Sequence, residues 1–404
     1  MNNILDYSDN YCTGCSVCTE ICPTNAIDYV LSKEGFYEAV IDKEKCIMCG
    51  KCKKVCIKFE ENKGKNINEG TLYSAQSTNK DTVLSCTSGG IAYEISKYGI
   101  ENEYKIVGVV FDYNQNIAKT VIVDNMEDLE LLKGSKYLQS NSKEAFSDII
   151  KYCEENEEEK FIVFGTPCQI TGLYKLINEK RIKNEFVMVD LFCHGVPSYL
   201  VWNGYMKWLS DKKGIDKIDK VTFRSKHIEW HEFCIEIESR NGIYYGTRRK
   251  DLFFKAFFDD ILFNKACFKC DMRKKVSYAD IRLGDLWGKR YISNQEGVSA
   301  VLSLSTKGDK LIDALYKHKK INILDKVDNL ECFKSQSTQN YQYMDIQDEY
   351  IKKAVSNDLL EIIKEYRKEL PIKIRIKKKL KESIYFLPVK CRMKIKNIIY
   401  RFKY

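Results

Sequence analysis

The 404-residue chain predicts a mixed α+β and α/β protein in unequal parts: a small cysteine-rich N-terminal domain, a larger mixed α/β domain and a basic helical C-terminal tail. Three observations predict that order. Eight of the 17 cysteines fall within the first 56 residues. From about residue 71 to about 340, short β-rich runs alternate with longer helical ones, the pattern of an α/β or α+β domain. Residues 371–404 hold 12 Lys or Arg and one acid, Glu382, so the formal net charge of +9 divides into +11 there and −2 over residues 1–370. The boundaries read as 1–60 for the first domain, 61–70 for a polar linker, 71–340 for the second domain and 341–404 for the tail. A hydrophobic fraction of 44% and a charged fraction of 30% exclude a wholly disordered or fibrous chain.

In the first domain, Cys12, Cys15, Cys18 and Cys22 are spaced C-x2-C-x2-C-x3-C and followed by Pro23, and Cys46, Cys49, Cys52 and Cys56 repeat the spacing. This is the bacterial dicluster ferredoxin signature, in which three thiolates on a tight loop grip one cubane and the fourth reaches the other. The spacing predicts two 4Fe-4S clusters, one on Cys12, Cys15, Cys18 and Cys56, the other on Cys46, Cys49, Cys52 and Cys22. A zinc ribbon also uses C-x2-C pairs but has no use for the third and fourth cysteines. Residues 1–10 lack a cationic and apolar leader and no run of 18 apolar residues occurs, which points to a cytoplasmic protein whose thiols stay reduced.

In the second domain the expected strands are 105–111, 120–123, 161–164, 186–192, 221–224, 233–238, 243–247, 281–283 and 300–304. The expected helices are 91–98, 142–158, 168–179, 198–209, 252–263 and 307–317. FIVFGTPCQ (161–169) is a buried strand that turns into a helix, which sets Cys168 at a helix N-terminus, where dipole and amides favour a thiolate. FVMVDLFCHGVP (186–197) sets Cys193 and His194 at the end of the next strand. With the C-x2-C pair Cys267 and Cys270, these thiols suggest a third 4Fe-4S cluster. His194 is a candidate proton carrier, since an imidazole titrates near neutrality, or else a hydrogen-bonded structural residue. SCTSGG (85–90) and KGSKYLQ (133–139) are candidate anion sites or ordinary turns, the second offering Lys136 as a cation. Arg224 and Lys226 in TFRSK suit an anionic ring or phosphate, or a solvated strand end.

The order of doubled cysteine motif, SGG, GSKYLQS, GTPCQITGL, DLFCHGVPS, TFRSK, C-x2-C and ADIRLGDLWG resembles the coenzyme F420 hydrogenase/dehydrogenase β-subunit family over about residues 11–288. Some members of that family are encoded among bacterial genes for surface-polysaccharide assembly, the type this chain resembles. The resemblance implies a domain that binds a flavin, FAD or FMN, is fed by iron–sulfur clusters and exchanges electrons with a small organic acceptor. Carried over by position, it implies flavin contacts at Thr87, Ser88, Gly89 and Gly90 and at Gly134, Ser135, Lys136, Tyr137 and Gln139; Arg224 and Lys226, read from TFRSK, are added as cofactor-binding candidates.

The leading expectation is an iron–sulfur flavoprotein oxidoreductase that relays single electrons to a flavin, with His194 and Lys136 as catalytic candidates. The alternative is an electron-transfer subunit or accessory protein that docks on a partner enzyme and does no substrate chemistry; a membrane-site scaffold with a vestigial pocket is a third. Expected partners are a redox protein such as ferredoxin or another oxidoreductase subunit, and no nucleic acid. In the tail, Ile372, Ile376, Leu380, Ile384 and Leu387 fall at helical spacing among the cations, which fits either a peripheral anchor on anionic membrane through 371–404 or a helix packed on the body.

Overall fold

A computed structural model describes residues 2–6, 11–59, 64–248, 250–273, 275–336 and 346–384, with 387, 391, 394, 395 and 398 beyond them. Parts of the expected linker (61–63) and tail (341–345 and most of 385–404) lie outside the described residues. In chain order the elements are α1 (Val17–Glu20), β1 (Ile27–Leu31), β2 (Tyr37–Ile41), α2 (Lys51–Val55), β3 (Lys65–Asn66), β4 (Thr71–Ser77), α3 (Lys80–Ser85), α4 (Ile91–Glu101), β5 (Tyr104–Asp112), β6 (Ile117–Val123), α5 (Met126–Leu129), β7 (Ser140–Asn141), α6 (Lys143–Glu155), β8 (Lys160–Phe164), α7 (Pro167–Lys180) and β9 (Glu185–Leu191). They continue with α8 (Tyr199–Lys213), β10 (Lys220–Ser225), β11 (Cys234–Ser239), β12 (Gly242–Thr247), α9 (Leu252–Phe258), β13 (Val276–Ser277), β14 (Ile281–Asp285), β15 (Ser299–Ser303), α10 (Thr306–Lys317), β16 (Ile321–Val327), α11 (Asn329–Ser335), α12 (Ile346–Ala354), α13 (Leu359–Glu369) and α14 (Ile372–Ile384).

The body is a nine-stranded mixed sheet in the order β16-β4-β15-β14-β9-β8-β5-β6-β7. Its centre, β14-β9-β8-β5, is parallel, and antiparallel pairs flank it at β15, β4 and β16 on one side and at β6 on the other. Central parallel strands are covered on both faces and therefore read as unbroken apolar runs. β8 (KFIVF) and the Phe186–Val189 stretch of β9 are such runs. Side chains alternate between faces: Phe161, Val163, Phe186 and Met188 pack under α6 and α7, whereas Ile162, Val187 and Val189 pack under α4 and α10.

The N-terminal region lies on the α6/α7 face. α1 and α2 touch α7, and Val17, Val55, Cys15 and Cys18 share one core with Phe146, Ile149, Ile170 and Leu173. A second, antiparallel sheet, β10-β11-β12, packs with α8 and α9 in an aromatic-rich core. α12 and α13 complete that core with Tyr350, Ile351, Leu359, Ile362, Ile363 and Tyr366, so the first two helices of the expected tail belong to the body, and α14 is tied to it by Lys378 on Asp259. α7 starts sharply because Pro167 occupies its first turn and Thr166 and Gln169 bond reciprocally across the cap. The helix expected over 252–263 ends at Phe258, because Asp260 and Leu262 turn left-handed at φ 55° and 58°.

Candidate functional site

The first cysteine loop is shaped by Gly14 at φ 68° and Ser16 at φ 64°, which turn the chain so that α1 starts between the thiols. A Cβ on Gly14 would stand 2.5 Å from the Tyr37 carbonyl oxygen, so this loop is pressed against β2. Gln139 fixes the contact: its Oε1 accepts from the Tyr37 amide at 2.7 Å, and its Nε2 donates to the carbonyls of Thr13 and Tyr37 at 3.2 and 3.3 Å.

Cys12, Cys15, Cys18 and Cys56 lie within electrostatic reach of one another, and burial followed by the neighbouring thiols pushes Cys15 up to about 12 and Cys18 well above its ordinary range. Cys22, Cys46, Cys49 and Cys52 line a single recess. Several sulfurs already accept hydrogen bonds, Cys12 from the Gly14 amide at 3.3 Å and Cys22 from the Ala26 amide at 3.2 Å. Cys168, Cys193, Cys267 and Cys270 gather at the carboxyl end of β9, with Cys168 in reach of Cys15 as well. Cys168 does sit in the first turn of α7, but burial outweighs the helix terminus and holds its thiol well above the ordinary range.

Among the described residues, no group of three or more His, Cys, Asp and Glu side chains is placed to hold a metal ion. That finding corrects the expectation of two 4Fe-4S clusters on the first eight cysteines and a third on Cys168, Cys193, Cys267 and Cys270. The thiols surround one another without converging as ligands of one ion, and burial favours the protonated form of Cys15, Cys18 and Cys168.

The expected flavin, FAD or FMN, is corrected with them, because the groups assigned to it are engaged within the protein. Lys136 Nζ donates to the carbonyls of Leu131, Leu132 and Lys133 at 3.2, 3.2 and 3.0 Å, closing the turn after α5, and burial lowers its pKa to about 7. Lys226 Nζ donates to the Val83 and Ser88 carbonyls at 2.5 and 2.6 Å. Arg224 spans the carbonyls of Glu232 and Trp230 and lies 3.8 Å over the Phe233 ring. Thr87 Oγ1 accepts from the Ser135 amide at 3.0 Å, Ser88 Oγ donates to the Val298 carbonyl, and the Gly89 amide donates to Ser299 Oγ. A Cβ on Gly89 would meet the Ala75 carbonyl oxygen at 2.5 Å, so this glycine allows backbone to approach β4. Gly90, at φ 85°, starts α4, and Gly134, at φ 80°, forms an open turn. The SGG and GSKY stretches and TFRSK are thus brought together, with Tyr137 bonded to Arg224, while Gln139 points away to the cysteine loop.

His194 Nε2 is 2.9 Å from Asp260 Oδ1, and its ring stacks on Phe257 at 5.2 Å. Tyr137 stacks on the same phenyl ring at 4.9 Å, so the histidine is tied into the aromatic core and held there by a carboxylate. With Lys136 and His194 so engaged and the carriers corrected, the expectation of a flavin-dependent iron–sulfur oxidoreductase with its own substrate chemistry is overturned.

Sequence reasoning missed the charged pair that joins two of its own motifs. Asp190 of DLFCHG and Arg282 of ADIRLG stand opposite each other on β9 and β14 and form a bidentate pair at 2.7 and 2.6 Å, fully buried. It also missed Asp285, a half-buried carboxylate that accepts from Trp230 Nε1 at 3.2 Å and whose pKa desolvation raises in spite of Arg224. An acid at the end of the apolar run of β9 was the available signal for the pair.

Residues 158–329 match the C-terminal part of the family described as coenzyme F420 hydrogenase/dehydrogenase, beta subunit, and residues 11–58 match a 4Fe-4S dicluster domain. The chain is 25% identical over 353 residues to a coenzyme F420-dependent sulfite reductase of Methanocaldococcus jannaschii, a match that covers 83% of the chain and 50% of the reductase. The chain therefore spans about half the length of that curated protein. A chain in the solved structure of the xenon-derivatized F420-reducing NiFe hydrogenase complex from Methanosarcina barkeri is similar at 17% identity and a TM-score of 0.46, covering 77% of this chain and 95% of that one. No described helix is long and apolar enough to cross a membrane.

Proposed function

We propose that the chain is an accessory subunit that docks on a partner oxidoreductase and performs no substrate chemistry of its own. The match of residues 158–329 to a β-subunit family carries this reading. Two further observations support it: the candidate catalytic side chains Lys136 and His194 are held by internal partners, and the sulfite reductase relative is about twice as long as the region it shares with this chain. A place among enzymes of surface-polysaccharide assembly, in the cytoplasm and in peripheral contact with the inner membrane face, belongs to the same proposal.

The test is anaerobic purification of the full chain alone and with its co-eluting partner, each assayed with reduced ferredoxin and a panel of organic acceptors. The expected result is turnover by the complex and none by the chain alone. Turnover by the isolated chain would overturn the proposal.

A further inference from the structure

α14 presents an apolar stripe to solvent rather than to the body. At about 100° per residue, Ile372, Ile376 and Leu380 occupy one narrow arc of the helix. They are 70%, 53% and 60% exposed. Lys373 and Lys379, both exposed, fall at the two edges of that arc, and exposed Arg375 follows beside Lys379. Lys378 projects from the far side, where its Nζ pairs with Asp259 at 2.5 Å, and Arg367 of α13 pairs with the same carboxylate at 2.5 Å. The body thus holds α14 by its polar side and leaves the apolar side outward.

We propose that this outward face of α14 is a docking surface for an anionic lipid bilayer. The helix lies in the headgroup plane, with Ile372, Ile376 and Leu380 entering the acyl boundary and Lys373, Arg375 and Lys379 meeting acidic headgroups. Charge complementarity selects this occupant. The positive charge of the chain is concentrated in residues 371–404, with 12 cations against one acid, while residues 1–370 sum to −2 and offer a second copy no matching acidic excess. The inference rests on the peripheral-contact reading and adds to it which face of α14 is outward and how the body holds the opposite side; the docking on a partner enzyme does not depend on it.

The test is co-sedimentation of the full chain with phosphatidylcholine vesicles, with and without roughly one third phosphatidylglycerol, at low and high salt. Binding is expected only to the anionic vesicles and is expected to weaken with salt. Replacing both Ile376→Glu and Leu380→Glu should lower the partition by at least about tenfold, and each of Lys373→Gln and Lys379→Gln by about fivefold. Because these side chains are exposed, the melting temperature of the double variant should match the parent; a clear drop would mean that the stripe packs on the body and would overturn the inference. Absence of binding to anionic vesicles at low salt would overturn the peripheral contact altogether. Equal binding by parent and double variant would leave a membrane contact but remove it from α14. A dimer of the parent that the glutamates dissolve, without vesicle binding, would reassign the face to a second copy.

Discussion

Replacing Asp190 by Asn should be among the most damaging conservative changes in this protein. The carboxylate accepts from Arg282 Nε and Nη2 at 2.7 and 2.6 Å and from Ser277 Oγ at 2.7 Å, at the junction of two parallel strands in the middle of the sheet. Neither charged side chain reaches water. Removing one member of such a pair leaves the other charge buried and uncompensated, at a cost of about 3–5 kcal/mol. With a domain of this size losing roughly 2–4 °C per kcal/mol, the midpoint should fall by about 10 °C. Replacing both residues with apolar ones of similar volume, Asp190→Leu with Arg282→Met, should recover most of that loss, because no charge remains to be desolvated. Calorimetry or fluorimetry on the full chain measures both. An Asp190→Asn midpoint within about 2 °C of the parent, or a double variant as unstable as the single one, would refute the reasoning.

Three further outcomes follow from the same structure. Burial lifts Asp251 to about 6 even though Tyr205 and Tyr244 donate to it, so the folded state binds this proton more tightly than the unfolded chain. Its contribution is complete below an unfolded pKa of about 4 and is lost as pH rises through about 6, a change of at most about 3 kcal/mol. Asp251→Asn, which keeps the cap on the Phe254 amide, should therefore flatten the melting temperature against pH over that window; an unchanged slope would contradict this. Gln139→Ala strands the buried amide and carbonyl of Tyr37 and the half-buried carbonyl of Thr13 and should cost about 1–3 kcal/mol, seen as faster proteolysis within residues 11–59. Gly89→Ala drives a methyl to 2.5 Å from the Ala75 carbonyl oxygen and 2.9 Å from the Ser299 amide nitrogen, both backbone, so the sheet must shift; a midpoint loss on the scale of about 1–3 kcal/mol is expected, and none would show that β4 yields.

The apolar periodicity located all nine strands and six helices expected in the second domain, because buried parallel strands such as β8 and β9 carry their position in composition alone. β4 escaped because TLYSAQS buries two serines among its inward residues, Ser74 and Ser77, which reads as polar chain. α12 and α13 were merged with the basic tail, since charge says where a segment is soluble and not which of its sides is covered. At the site, the limits were those of one-dimensional reading. Lys136, Lys226 and Arg224 look like anion-binding residues until their carbonyl partners are seen, and those of Lys226, on Val83 and Ser88, lie 143 and 138 residues away along the chain. The cysteines were found with their spacing, but spacing does not specify how side chains converge.

The clasp of Gln139 on the first cysteine loop has a bearing on how such a chain is assembled and altered. Residues 11–59 resemble a portable unit when written out, yet their inner surface is completed by α6, α7 and a glutamine from the β5–β7 part of the sheet. Severing the connection near residues 60–63 would not set that unit free, and transplanting it elsewhere would leave Val17 and Val55 without the wall they fold against. The two halves of this protein are separate in the genetic text and continuous in the solid, so exchange of the N-terminal segment between relatives has to bring its seat on α7 along with it.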